Sequence, residues 1–85
     1  MSRNEKLIEK LQSKPKDFTY DELKKLLGGL GFIEDTKGKS SGSRVAFYHE
    51  QTKRIIWLHK PHPGNELKRY QIDLVLEVLK EMGVI

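Results

Sequence analysis

The chain has 85 residues, with 16 Lys and Arg against 12 Asp and Glu, a formal net charge of +4 and no cysteine. A chain this short is expected to form one domain, 1–85, with a modest core and no large enclosed cavity, so chemistry should lie on an exposed face and act on a polymer that brings its own binding surface. The missing cysteines exclude disulfides, thiolate zinc sites and cysteine nucleophiles, and the positive balance favours an anionic partner.

The opening string MSRNEKLIEK carries charges where a signal peptide needs an unbroken apolar core, and no segment reaches the length of a membrane span. A cytoplasmic protein with no membrane association is expected. Leu7, Ile8 and Leu11 recur at helical spacing among charged residues, which predicts a short amphipathic helix from Arg3 to Ser13, ended by Pro15. Thr19 followed by Glu22 forms a capping box, with Phe18 and Leu23 as its hydrophobic staple. Tyr20, Leu23, Leu26, Leu27 and Leu30 then make one apolar stripe of a second helix, with Lys24 and Lys25 on its polar side. Gly31 closes it in the left-handed conformation, and Phe32 folds back on Leu27.

Phe32 and Ile33 begin a short strand, followed by a flexible loop over 37–42. Arg44 to His49 and Arg54 to His59 are rich in β-branched and aromatic residues and flank the polar turn 50–53, which predicts an antiparallel hairpin. With Gln51 and Thr52 at the turn centre, Tyr48 lies opposite Ile55, Ala46 opposite Trp57 and Arg44 opposite His59, all on one open face. Val45, Phe47, Ile56 and Leu58 fall on the other face, toward the helices. Pro61, Pro63 and Gly64 keep the next stretch irregular. Ile72, Val75, Leu76, Leu79 and Met82 restore a helical stripe that Gly83 stops. The expected fold class is α+β: a three-stranded antiparallel sheet with helices packed on one face, in the order ααβββα.

Three features carry a resemblance: the helix ending Leu30-Gly31-Phe32, the Gly42-Ser43 pair opening the second strand, and a His-Pro-Gly segment leading into a helix that ends Met82-Gly83-Val84-Ile85. The run from Leu58 to Lys68 is the most specific part, because its order of turn, basic and histidine residues is not one that core packing produces. From Phe18 to Ile85 the chain resembles HicA, the toxin of a bacterial toxin–antitoxin pair. The likeness is greatest to members with an additional N-terminal helix, here 1–17 with its linker, ahead of the core 18–85. The resemblance implies a fold similar to a double-stranded RNA-binding domain and a ribosome-independent ribonuclease that cuts messenger RNA. It also implies a partner antitoxin, HicB, that covers the active face. The family pattern has a catalytic histidine directly after the Gly-Ser pair; here that position is Arg44.

Cutting RNA without a metal needs a base for the 2′-hydroxyl, a cation for the developing phosphorane charge and an acid for the departing oxygen. Histidine suits proton transfer near neutral pH, whereas arginine stays protonated and holds phosphate instead. His59 is the candidate base, Arg44 and Lys60 the phosphate-holding cations, and His62, between Pro61 and Pro63, the alternative proton donor. The plainer reading of both histidines, that they orient loop backbone or sit in solvent, stays open. His49, beside the turn, reads as structural.

Trp57 is placed to stack on a base or to pack under a partner. Lys37, Lys39 and Ser43 belong to a loop whose backbone N–H groups and cations suit phosphate, without the spacing of a nucleotide-binding P-loop. Lys60, Lys68 and Arg69 extend the charge toward the last helix, as a path for an RNA backbone or as a solvated rim. His59 and His62 have no nearby carboxylate or thiol to complete a metal site, so none is expected, nor is any cofactor. Three functions compete: an RNA-cleaving toxin neutralised by a HicB-like protein, a non-catalytic nucleic-acid-binding module, and a pure protein-interaction domain.

Overall fold

The computed structural model describes residues 3–35, 44–61 and 64–85. The helix α1 runs over Arg3–Gln12 and ends one residue before the sequence-based boundary. There the Ser13 hydroxyl donates to the Lys10 carbonyl at 2.6 Å, and Lys14 takes a φ of 53°. A residue outside the right-handed region cannot continue a helix, so the chain turns at Lys14 before Pro15 is reached.

The helix α2 occupies Tyr20–Gly29. Its start is a complete capping box: the Glu22 N–H donates to Thr19 Oγ1 at 3.1 Å, and the Thr19 N–H donates to Glu22 Oε1 at 2.9 Å. Two orphan donors of the first turn are thereby satisfied reciprocally. The second carboxylate oxygen of Glu22 is not idle, because Lys10 Nζ donates to it at 2.8 Å and so ties α1 to the cap. The helix closes at Leu30, and Gly31 follows with a φ of 101°.

Three strands follow: β1 at Phe32–Asp35, β2 at Arg44–His49 and β3 at Arg54–His59. They form an antiparallel sheet in the order β1-β2-β3. The register of β2 on β3 pairs Arg44 with His59, Ala46 with Trp57 and Tyr48 with Ile55, as the alternation of side chains predicts. Val45, Phe47, Ile56 and Leu58 are buried on the opposite face, which is the face α2 and α3 cover. The final helix, α3, spans Arg69–Glu81 and is stopped at Gly83, whose φ is 81°.

The core joins Leu11 of α1, Phe18, the α2 stripe Tyr20, Leu23, Leu26 and Leu27, the inner strand residues, Leu67, and Ile72, Val75 and Leu79 of α3. The helix α1 packs on α2 and α3, giving three tiers with the sheet at one side. Between β3 and α3 the chain is laced to the entrance of α2. The Leu67 N–H donates to the Phe18 carbonyl at 2.8 Å and the Tyr20 N–H to the Asn65 carbonyl at 2.7 Å, with Thr19 and Glu66 bridged as in an antiparallel ladder. The exposed pair Asn65 and Glu66 and the buried Leu67 are thus tied through their backbone to the entrance of α2. No helix among the described residues is long and apolar enough to cross a membrane.

Candidate nucleic-acid interface

Successive side chains of a strand point to opposite faces, and the burial of β3 shows it: Ile56 and Leu58 are buried while Ile55, Trp57 and His59 are exposed. The face turned away from the helices therefore carries Ile33 and Asp35 of β1, Arg44, Ala46 and Tyr48 of β2, and Ile55, Trp57 and His59 of β3. Arg44 and His59 are direct cross-strand partners. The guanidinium carbon of Arg44 lies 4.9 Å from the centre of the Trp57 ring, a cation–π arrangement. One face of the indole is thus occupied by Arg44, and the pair presents a planar, permanently charged fork beside an imidazole. Such a fork matches the oxygens of a phosphate.

Lys60 does not join this group. Its ammonium lies 5.6 Å over the ring of Tyr20, a residue of the helical tier, and so belongs to a different cluster. There the Tyr20 hydroxyl donates to Glu34 Oε2, and Lys24 pairs with Glu34 Oε1 at 3.0 Å. Burial raises the Tyr20 hydroxyl pKa well above its usual range, and the hydrogen bond to Glu34 raises it further. Burial also works against ionisation of Glu34, but hydrogen bonds from Tyr20 and Lys24 and the charge of Lys60 outweigh it and hold the carboxyl below its ordinary value. The sequence pattern shows Tyr20 only as part of an apolar stripe. Its hydroxyl partner is 14 residues away on β1, beyond the reach of helical periodicity.

Lys68 and Arg69 stand at the entrance of α3, both exposed. Arg69 is partly engaged, its Nε 3.8 Å from Asp73, which also pairs with Lys14 at 2.9 Å. Hydrogen bonding from Lys14 is the main reason the Asp73 carboxyl is held below its ordinary range. Lys37, Lys39, Ser43 and His62 lie outside the described residues.

His49 is buried and fully engaged. Its Nε2 is 3.2 Å from the Leu30 carbonyl and its Nδ1 is 2.8 Å from Thr52 Oγ1, with the Thr52 N–H donating to Nδ1 at 3.3 Å. A carbonyl only accepts, so the proton sits on Nε2 and Nδ1 accepts. The imidazole thereby fastens the end of α2 to the hairpin turn. Gln71 is a second engaged polar group that sequence patterning passes over: its Nε2 donates to the His59 carbonyl at 2.8 Å. The available signal was its place at the third position of α3, where a side chain reaches back to the cap.

Among the described residues no group of three or more His, Cys, Asp or Glu is placed to hold a metal ion. The exposed aliphatics Ile33 and Ile55 lie on either side of Tyr48, and Trp57, two residues along β3 from Ile55, is itself 54 % exposed, so the open face mixes apolar area with its cation and imidazole. Comparison with curated proteins and with solved structures gives no match. The family model described as HicA toxin of bacterial toxin-antitoxin matches residues 20–84.

Proposed function

The chain belongs to the HicA family of toxins from bacterial toxin–antitoxin systems, and on that premise we propose that it is a cytoplasmic, metal-independent endoribonuclease acting on messenger RNA. The carrying observation is the cross-strand pair Arg44 and His59 beside Trp57 on the open sheet face. His59 takes the proton of a ribose 2′-hydroxyl, whose oxygen attacks the adjacent phosphorus. Arg44 holds the phosphate oxygens as negative charge builds on them. The bond to the 5′-oxygen breaks, leaving a 2′,3′-cyclic phosphate, and that oxygen takes a proton from the acid, for which His62 is the residue assigned. Trp57 carries the Arg44 fork on one face and offers its edge and remaining face to a base. Lys68 and Arg69 at the head of α3, with Lys37, Lys39 and Ser43 of the loop before β2, follow the phosphate backbone. Lys60 contributes charge at longer range.

The position that holds the family's histidine is Arg44, which moves the proton-transfer role to its cross-strand partner. A HicB-like antitoxin neutralises the toxin by covering this face, and the exposed Ile33, Ile55 and Trp57 supply the apolar area for it. The test is cleavage of a messenger RNA by purified, refolded protein in EDTA. Cleavage is expected to persist in EDTA and to fall by about 100-fold or more in His59→Ala. RNA that is bound but left intact overturns the enzymatic assignment. The outcome then is a non-catalytic RNA-binding module, which the stacked, permanently charged Arg44 favours, with affinity that weakens steeply with salt and in Arg44→Ala.

A further inference from the structure

Gln71 is 2 % exposed, in a helix face otherwise given to Ile72, Val75 and Leu79. A buried amide is retained only where its polar atoms are matched, and both are. Oε1 accepts the Lys68 N–H at 3.0 Å, satisfying a donor at the helix start. Nε2 donates to the carbonyl of His59, the last residue of β3, at 2.8 Å.

The comparison with α2 shows why this residue is an amide. Glu22 holds the same third position and accepts from its cap residue in the same way, but its second oxygen faces the Lys10 ammonium, a donor. The second atom of Gln71 faces a carbonyl, an acceptor. Glutamine is the side chain of that length that accepts on one branch and donates on the other. The choice between Glu and Gln thus follows what lies across from the cap, and across from α3 lies the backbone of His59.

We propose that Gln71 is a positioning residue for His59, locking the end of β3 so that the imidazole stays opposite Arg44 beside Trp57. This rests on the reading of His59 as the base. A general base displaced by a fraction of an ångström or turned by tens of degrees loses its alignment with the hydroxyl it serves, and β3 is an edge strand with β2 on one side only.

The experiment uses the full chain with Q71E and Q71M. Q71E keeps the acceptor for Lys68 and sets a carboxylate against the His59 carbonyl; Q71M removes both bonds at similar volume. The readouts are the His59 ring signals by NMR, the His49 ring signals as an internal check of folding, and RNA cleavage. In folded Q71E the His59 signals move while those of His49 hold, and kcat falls about 10-fold with little change in KM.

Unmoved His59 signals in a folded variant overturn the positioning role whatever the RNA assay shows. So does cleavage at the wild-type rate in a variant whose His59 signals have moved. Moved signals together with a wild-type chain that cuts no RNA support the positioning and overturn His59 as a base. Where neither variant folds, the wild-type protein decides: a through-bond coupling from the Gln71 amide to the His59 carbonyl carbon supports the proposal, and its absence overturns it.

Discussion

His49 and Gly31 explain each other. A Cβ built on Gly31 would stand 3.2 Å from His49 Nε2, and the φ of Gly31 is 101°. Gly31→Ala therefore combines a left-handed backbone penalty with displacement of a buried imidazole, and is expected to cost about 1–3 kcal/mol in urea unfolding. The left-handed glycine was legible from its place after Leu30. The histidine that crowds it was not, because its carbonyl partner is 19 residues away in sequence. At the open face the opposite holds: the hairpin alternation alone placed Arg44, Trp57 and His59 together. That placement carries a functional prediction. On the proposed reading, Arg44→His trades the fork that holds the phosphate for a second imidazole opposite His59, and is expected to weaken RNA binding in filter assays and to lower the RNA cleavage rate by about 10-fold or more.

Elements were legible where their signals are local. The capping box of α2, the stop at Gly83 and the hairpin register need only neighbours in sequence and a period of two or 3.6. The lacing of 65–67 onto 18–20 was not legible, since nothing in an irregular segment announces its backbone partner. Neither was the conformation of the hairpin turn, where Lys53 adopts a φ of 62°. A lysine pays a steric penalty there that glycine does not, offset in part by glycine's greater freedom in the unfolded chain. Lys53→Gly is expected to stabilise the protein by about 0.5 kcal/mol, read as a higher urea midpoint at unchanged slope.

Taken whole, the molecule is held at its polar seams by groups with opposite responses to pH. The carboxyl of Glu34 titrates below its ordinary 4.5 in the folded protein, and that of Glu22, in the cap shared with Lys10, is also lowered. Their contribution is complete above the unfolded value and is lost as pH falls through the lowered one. The Tyr20 hydroxyl is raised above its ordinary 10.0, so its contribution is complete below that value and is lost as pH rises through the raised one. Stability measured by thermal unfolding is thus expected to be flat across the neutral range, to fall below about pH 4.5, and to fall again above about pH 10. In Tyr20→Phe, Glu34 loses a hydrogen bond that depresses its pKa, so the protein is less stable at neutral pH and its acid limb is expected to become shallower. A variant whose acid limb is unchanged contradicts the central place of Glu34.

The tier formed by α1 lies on the helical side of the molecule, away from the open sheet face, and precedes the stretch that carries the family match. Among its described side chains the one fully buried anchor is Leu11. Leu11→Ala is expected to cost about 2–5 kcal/mol while leaving the cleavage rate per folded molecule unchanged, as active-site titration alongside denaturant unfolding will show. For a toxin the two quantities have different meanings. On the proposed reading the sheet face sets how fast each molecule works, and α1 sets how many folded molecules survive proteolysis after synthesis. Substitution in this helix is then a dial on dose, adjustable without touching the face proposed for target and antitoxin.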